Sequence, residues 1–573
     1  MPSAVGLVPE AAGDPAPGRI YYEECLDSML ERDANHPSIF SVVLFNETWG
    51  LKSAYQNENT REIKASDGKS TSEWVSYLYY HVKDVAPQLL VEDMSPNHND
   101  HVQPTDLNSY HTYPDKEVSA REKFSEPVKN AFPGSAFNFA FGYQQDGDPL
   151  INSEYGGLQA YGGEYDISYC FKYQTDIQRS QLKQSGLCYT QAYDVEYERN
   201  GLYTADRKRK EMGYSQIAYG SDMTIRDLVG DIYIGFPQQK SITTALPGQK
   251  IRVSADCICW IRKLPDKVVL KWKFTADDEQ GQSFLTGISG KKSINLQSYH
   301  TVHSSIDFRL PQQNCVGTLT VWLEDGNGYK LAKNFTQFIV RGESPSYTGI
   351  NDSHILKIRT KNKDFDKIEK TGSLSYEVSL PENTDIDSIS KMTLLFEASS
   401  FKGGIGSDKN SADTHSMSNQ TTEGLELPSV VTVRINGIKI ETVRLEDNPR
   451  DMRAALSLLN PLNKGSSAGD YGYMNKIVLT EDVLKKLKQQ RHKDGTLTVT
   501  LSVDSDSPYP NGLKLYSAES GRYMADPQII LNQNLPSEKA YLNWLIRRKY
   551  LPAFLIAAAS IILCINIFRK KRQ

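Results

Sequence analysis

Cysteine is scarce in this sequence, and several common functional signatures are missing from it. Seven cysteines are scattered over 573 residues, too few for the disulfide framework of a small secreted scaffold, and no CxxC pair indicates a zinc site. No GxGxxG motif or phosphate loop follows a predicted strand, so nucleotide binding is not indicated. We therefore expect no cofactor and no bound metal.

An excess of positive charge is also missing. The chain has 65 Lys and Arg against 70 Asp and Glu, a formal net charge of −5, so it lacks the basic field that attracts nucleic acid. Its apolar fraction of 39% and charged fraction of 24% are typical of folded water-soluble domains. At roughly 100 to 200 residues per domain, the length predicts three or four folding units.

One long apolar segment stands near the C-terminus. The residues from Leu551 to Phe568 carry no charge, and as a helix they would be about 27 Å long, enough to span a bilayer. A buried helix is the alternative, but no polar stripe interrupts the segment and basic residues flank it on both sides. We predict a transmembrane helix at 550–568 and a basic tail at 569–573. The protein would then be a single-pass membrane protein with its bulk at the cell surface.

Helical and strand patterns alternate in the first part of the chain, up to residue 215. Such alternation predicts a parallel sheet with crossover helices, either open or part of a barrel. The predicted helices are 20–32, 74–85, 118–131 and 165–183, and the predicted strands are 39–45, 88–92, 106–113, 149–153 and 187–193.

The rest of the chain, after residue 215, has a different sequence pattern. Short alternating runs separated by Gly, Pro, Asn and Asp predict an immunoglobulin-like β-sandwich at 216–343. A second sandwich, of galactose-binding-like or jelly-roll type, is predicted at 344–537. Within it, Asn436-Gly437 lies between two alternating runs and predicts a tight hairpin turn.

Two glutamates follow predicted strands directly. Glu47 comes after the strand at 39–45, and Glu154 comes after the strand at 149–153. The carboxyl ends of barrel strands share one face, where active sites lie. Two carboxylates there suit glycosidic bond cleavage, although acids at strand ends also cap helices and form ion pairs.

The segments around these glutamates resemble glycoside hydrolase family 2, the β-galactosidase and β-glucuronidase group. HPSIFSVVLFNETWG at 36–50 is similar to the strand-four segment of that family, and INSEYGG at 151–157 is similar to its strand-seven segment. SYHTYPD at 109–115 and CYTQAYDVEYERNGLYTADR at 188–207 match in the same order. The resemblance implies strands four to eight of a (β/α)8 TIM barrel, followed by the two sandwiches and the membrane helix.

The resemblance also implies roles for individual residues. Glu47 would be the general acid/base and Glu154 the nucleophile of a retaining double displacement. Asn46 would hydrogen-bond the sugar 2-hydroxyl, and Trp49 would form a stacking wall or pack beneath the site.

Two further residues, His111 and Tyr113, would reach sugar hydroxyls or orient Glu154, or else be ordinary polar residues lining the barrel.

The cluster His98, Asp100 and His101 has side chains of the types that bind metal ions. No further ligand is evident, so we interpret the cluster as a solvated loop.

The resemblance begins only at the fourth strand. We therefore expect that the N-terminal domains and the first half of the barrel are missing from this chain, and that a separately encoded N-terminal half is a candidate partner. The sequence supports two functional hypotheses. One is a membrane-anchored, β-galactosidase-like hydrolase of terminal β-linked sugars, acting on an oligo- or polysaccharide. The alternative is a non-catalytic, membrane-anchored carbohydrate-binding protein with a degenerate barrel.

Overall fold

A computed structural model describes most of the chain between residues 16 and 533. The described ranges are 16–47, 64–96, 99–114, 117–156, 168–195, 200–203, 205–209, 214, 221–342, 353–363, 365–380, 386–401, 428–446, 454–456, 471–490 and 495–533. Trp49, the predicted membrane helix at 550–568 and the basic tail lie outside these ranges. Within them, no helix is both long and apolar enough to cross a membrane, so the membrane anchor stays a prediction.

The N-terminal part of the chain alternates helices and parallel strands, as predicted. We call it the β/α unit. Its helices are α1 (Ala16–Asp33), α2 (Thr71–Val85), α3 (Glu117–Asn130) and α4 (Ser168–Arg179). Its strands are β1 (Ser41–Asn46), β2 (Leu90–Ser95), β3 (Asn108–Thr112), β4 (Leu150–Gly156) and β5 (Gln184–Thr190).

Each predicted strand overlaps an observed one, with boundaries that differ by a few residues. Glu47 follows β1 directly, as expected. The prediction for Glu154 was wrong in detail, because β4 continues to Gly156 and Glu154 lies inside the strand.

The five parallel strands form two adjoining sheets. β1 pairs with β2, and β3, β4 and β5 pair in that order, all in parallel. In the described residues β2 and β3 share no ladder; side chains join them instead. Ser109 Oγ donates to the buried carboxylate of Glu92, and the Oγ of Ser95 lies 2.8 Å from Nε2 of His111. The carboxyl ends of β1 to β4 are thereby gathered at one edge.

The start of α2 supports the end of β1. Ser70 and Glu73 form a reciprocal capping box, with bonds of 3.2 and 2.8 Å, which satisfies two amides at the helix N-terminus. The next residue, Trp74, is fully buried, and its ring lies 5.5 Å from that of Phe45 in β1. Tyr22 of α1 stacks on Phe45 at 4.9 Å. This aromatic cluster holds β1 in place immediately before Glu47.

The next part of the chain forms a β-sandwich, which we call the first sandwich. Its elements are α5 (Ile225–Val229), β6 (Ile232–Gly235), β7 (Ile242–Ala245), β8 (Lys250–Cys259), β9 (Val269–Asp278), β10 (Ser283–Ser293), β11 (His300–Arg309), β12 (Cys315–Glu324) and β13 (Lys330–Val340). A five-stranded sheet in the order β10-β9-β12-β13-β7 faces a three-stranded sheet in the order β11-β8-β6.

The following part forms a second sandwich. Its elements are β14 (Ser353–Lys357), β15 (Phe365–Ile368), β16 (Gly372–Ser379), a 3₁₀ turn (Ile386–Ser388), β17 (Ile389–Ser399), β18 (Ser429–Ile435), β19 (Ile438–Leu445), β20 (Tyr473–Val478), α6 (Glu481–Gln489), β21 (Thr496–Val503), β22 (Leu513–Tyr516) and β23 (Gln528–Gln533). One sheet has the order β14-β23-β17-β22-β15, with β20 also paired to β17, and the other has the order β16-β21-β18-β19. The predicted hairpin at Asn436-Gly437 is confirmed, with both turn residues at positive φ, 50° and 77°.

Helix α4 joins the β/α unit to the first sandwich. All twelve of its residues are buried. The ammonium group of Lys172 lies 2.7 Å from the carboxylate of Asp176, and both side chains are almost wholly enclosed. Tyr233 of β6 donates its hydroxyl to Asp176, and Asn334 of β13 donates an amide N–H to it at 2.8 Å. Because buried charges require partners, this polar cluster fixes α4 against the sandwich.

We predict that Asp176→Asn destabilises the fold by about 3 kcal/mol, because it leaves the Lys172 ammonium buried without a counter-charge. The denaturant concentration at the midpoint of unfolding of the part of the chain that contains α4 would fall. Asp307→Asn is the control, since Asp307 pairs with Arg252 on the surface, where both side chains are more than half exposed, and it should leave the midpoint unchanged. Equal midpoints for both variants would contradict the stabilising role of the cluster.

Candidate active site

The backbone at the end of β1 directs Glu47 toward β3 and β4. Glu47 has a φ of 51°, in the left-handed region that non-glycine residues adopt rarely and that is common at functional sites. Its amide donates to the carbonyl oxygen of Ser95 at 2.9 Å, so the strained turn is tied to the end of β2. The Glu47 side chain is 17% exposed, so it is not wholly enclosed.

A β-bulge in β4 positions Glu154. Tyr110 of β3 pairs with Asn152 of β4, but the next residue, His111, pairs with Glu154. Ser153 is the extra residue, and the register of β4 against β5 shifts at the same place. A bulge interrupts the alternation of side chains between the two faces of a strand. As a result, Ser153 and Glu154 are both partly buried and both contact the neighbouring strand ends.

The imidazole of His111 lies between the two glutamates. Its Nδ1 is 2.7 Å from Oε1 of Glu47 and 3.4 Å from Oε2 of Glu154, and the side chain is 1% exposed. The opposite nitrogen, Nε2, is 2.8 Å from Oγ of Ser95. The ring therefore has a polar partner on both sides, and Nδ1 faces two carboxylates at once.

Tyr113 and Asn46 complete the surroundings of Glu154. The Tyr113 hydroxyl donates to Oε2 of Glu154, and the side chain of Asn46 also hydrogen-bonds this carboxylate. Of the six site residues predicted from the sequence, the structure thus brings together Asn46, Glu47, His111, Tyr113 and Glu154; the sixth lies outside the described residues.

Burial is the main electrostatic effect on Glu154. Removal from water raises the pKa of this carboxyl above its ordinary value, and the negative charge of Glu47 adds to the increase. His111, Tyr113 and Asn46 act in the opposite direction, because each favours the ionised form. Burial and the Glu154 carboxylate together raise the pKa of Tyr113, which therefore stays a hydrogen-bond donor at neutral pH.

The arrangement can support proton transfer and nucleophilic attack from one small volume. Ligand-type atoms of Glu47, His111 and Glu154 lie within 4.8 Å of one another. In the described part of the chain, these three residues are also the group that could hold a metal ion, because they are of the right types and lie close together. His111 hydrogen-bonds Glu47 and lies 3.4 Å from Glu154 through the same nitrogen.

The interpretation of residues 98–101 as a solvated loop was wrong where it can be examined. His98 lies outside the described residues, but Asp100 is buried and His101 is fully buried. The Nδ1 atom of His101 lies 2.7 Å from Asp93 of β2, and its Nε2 accepts from the amide of Ser109 in β3 at 3.0 Å. This histidine joins the two sheets beneath the site.

Comparison with known proteins gives matches in solved structures alone. No protein-family model matches the chain, and no curated protein matches it. Bacteroides uniformis β-glucuronidase 2 is 13% identical with a TM-score of 0.30, over 87% of this chain and 56% of that one. Parabacteroides merdae β-glucuronidase is 10% identical with a TM-score of 0.29, over 91% and 52%. Amycolatopsis orientalis exo-chitosanase is 9% identical with a TM-score of 0.31, over 88% and 54%.

The chain therefore spans about half the length of these solved structures. At identities and TM-scores this low, no residue's role is transferred from these proteins to this chain.

We predict that Tyr113→Phe raises the pKa of Glu154 further. The hydroxyl favours the ionised carboxylate, so its loss leaves burial less opposed, and the carboxylate becomes protonated at a higher pH as pH falls. Carbon-13 NMR titration of glutamate-labelled protein measures this midpoint. Tyr79→Phe is the control, because Tyr79 donates to a different carboxylate, that of Asp106, at 2.9 Å. A Glu154 titration midpoint that falls or stays unchanged in Tyr113→Phe would contradict the prediction that the Tyr113 hydroxyl lowers the pKa of Glu154.

Proposed function

We propose that this chain carries the catalytic carboxylates of a retaining glycoside hydrolase that cleaves terminal β-linked sugars. The observation that supports this most directly is the proximity of Glu47 and Glu154, whose carboxylate oxygens lie within 4.8 Å. Retaining enzymes hold the two carboxyl groups about 5 to 5.5 Å apart, whereas inverting enzymes need about 6.5 to 9.5 Å to admit a water molecule. A distance below 4.8 Å between one oxygen of each carboxylate favours the retaining arrangement.

In the first step, Glu154 attacks the anomeric carbon and Glu47 protonates the departing oxygen. The bond to the leaving group breaks and a covalent glycosyl-enzyme forms on Glu154. This esterification removes the negative charge beside Glu47. Glu47 can then take a proton from water, which attacks the same carbon and releases the sugar with its original configuration.

The surrounding side chains prepare Glu154 for attack. His111 and Tyr113 both contact Oε2 of Glu154, so they hold one oxygen and leave the other to face the sugar. Asn46 would transfer its hydrogen bond from Glu154 to the sugar 2-hydroxyl, an interaction that strengthens in the oxocarbenium-like transition state. Trp49 would provide an apolar wall for the sugar ring.

For the sugar itself we propose a neutral pyranose such as galactose, because no Asn-x-Lys motif that would hold a sugar carboxylate has a convincing position in the sequence. For location we propose the cell surface, with the segment 550–568 as the anchor. A separately encoded N-terminal half remains the proposed partner.

One observation favours the non-catalytic alternative. Among the described residues, β1 pairs only with β2, and β5 pairs only with β4. Five strands do not close a barrel by themselves. If the barrel stays open, the chain would bind carbohydrate without cleaving it. Covalent labelling of Glu154 distinguishes the two functions.

We predict that a 2-deoxy-2-fluoro-β-galactoside with a good leaving group adds covalently to Glu154. The fluorine slows hydrolysis of the glycosyl-enzyme, so mass spectrometry of the peptides would find the added sugar on this residue. Glu154→Gln should abolish both the labelling and the hydrolysis of an aryl β-galactoside, while Glu122→Gln on the exposed face of α3 should leave them unchanged. Sugar binding without labelling of the unaltered chain would favour the non-catalytic alternative.

We predict that Glu47→Ala lowers turnover of an aryl β-galactoside by roughly 10² to 10⁴, the usual contribution of a general acid/base. With a good leaving group the glycosyl-enzyme still forms, and its hydrolysis becomes slow. Azide needs no base, so it should restore turnover and give a β-glycosyl azide, which NMR identifies. An α-glycosyl azide would instead indicate a single displacement and would overturn the nucleophile assignment.

A further inference from the structure

Ser95, the last residue of β2, contacts three elements of the site. Its carbonyl oxygen accepts from the amide of Glu47 at 2.9 Å. Its hydroxyl oxygen lies 2.8 Å from Nε2 of His111 and donates to Oγ of Ser153, also at 2.8 Å. Ser153 immediately precedes Glu154, so one residue is connected to both carboxylate-bearing segments, to Glu47 through its backbone and to Ser153 through its side chain.

The position of Ser95 makes these contacts rigid. The residue is 5% exposed, and it pairs with Asn46 in the ladder between β1 and β2. Its backbone is therefore set by the sheet, and its side chain reaches across the gap where β2 and β3 share no ladder. In the described residues, this hydroxyl and the Glu92–Ser109 bond are the direct side-chain links between those two strands at this edge.

The imidazole of His111 depends on this link for its orientation. The χ2 torsion angle of histidine has a broad distribution, so the rotamer preference of the side chain does not by itself fix the orientation of the ring. The two carboxylates hold Nδ1, but they are the groups whose protonation and bonding change during the proposed reaction. The contact at Nε2 is with a neutral hydroxyl that takes no part in those changes.

We propose that Ser95 is a positioning residue that holds His111 with Nδ1 directed at both carboxylates and thereby sets their separation. The effect of Ser95 on catalysis rests on the proposed function, whereas its effect on the orientation of His111 does not. Because misplacement of reacting groups by about 1 Å can cost about 10² in rate, loss of this hydroxyl would slow glycosylation of Glu154 without much change in sugar binding.

The test compares Ser95→Ala with Ser95→Thr, which keeps the hydroxyl on a β-branched residue that suits a strand. Ser76→Ala is the matched control: it removes a partly buried hydroxyl in the same unit, one that donates to the carbonyl of Gln103 at 2.8 Å. The first measurement is the ¹⁵N–¹H spectrum of histidine-labelled full-length protein, with the His111 signals assigned by His111→Gln. It reports the ring directly and requires no activity.

We expect the ring Nε2–H of His111 to be protected from water exchange in the unaltered chain, in Ser95→Thr and in Ser76→Ala, and to lose this protection in Ser95→Ala. The second measurement is the rate of labelling of Glu154 by the 2-fluoro sugar. It should fall about ten-fold in Ser95→Ala, with the concentration for half-saturation unchanged, and recover in Ser95→Thr.

An unchanged His111 signal in Ser95→Ala would overturn the proposal, and so would a lost signal combined with an unchanged labelling rate. If the unaltered chain is not labelled at all, the proposed function fails, and the NMR comparison still decides whether Ser95 orients His111.

Discussion

The imidazole of His111 lies between two carboxylates that would otherwise repel each other in a partly buried place. Two unit charges about 5 Å apart repel by about 3 kcal/mol at an effective dielectric constant near 20. A ring nitrogen that lies 2.7 Å from an oxygen of Glu47 and 3.4 Å from an oxygen of Glu154 offsets this repulsion. The proximity of Glu47 and Glu154 thus depends on a third side chain, one that the strand-end pattern of acids does not reveal.

That side chain in turn depends on the arrangement of strand ends beneath it. β1 and β2 form one sheet and β3 to β5 another, and the described contacts across the gap include the buried pair His101–Asp93 and the Ser95–His111 contact. Both use polar groups removed from water, which hold their geometry because leaving them unpaired is costly. The two sheets are therefore joined by buried polar contacts, one of which, Ser95–His111, lies beside the carboxylates.

The β/α unit is also supported from outside. Helix α4 is buried on all sides, and its Lys172–Asp176 pair is completed by Tyr233 and Asn334 of the first sandwich. An arc of five parallel strands does not enclose its own core, so part of the enclosure comes from the neighbouring sandwich. The sandwich is therefore part of the support of the site.

The order of helices and strands, the parallel direction of β1 to β5, the hairpin at Asn436-Gly437 and the positions of two glutamates near strand ends could be predicted from the sequence pattern. Hydrophobic periodicity and turn chemistry are local properties, and a strand end can be read from its neighbours in the chain. Asn46, His111 and Tyr113 were predicted from the family resemblance alone. The same local reading misplaced His101, because its partner Asp93 is joined to it by folding and not by spacing. It also missed Ser95, an ordinary serine at the end of a strand.

The sequence by itself therefore determined which residue types reach the common edge of the strands. Only the tertiary structure decided how they meet. The bulge at Ser153 turns Glu154 toward His111, the left-handed backbone of Glu47 turns it toward the same ring, and Ser95 holds that ring from the other side. The bulge and the contact of Ser95 with His111 depend on how strands that are distant in the chain lie against each other. A single extra residue in one strand changes which side chains face a neighbour, so a local sequence pattern does not define these contacts.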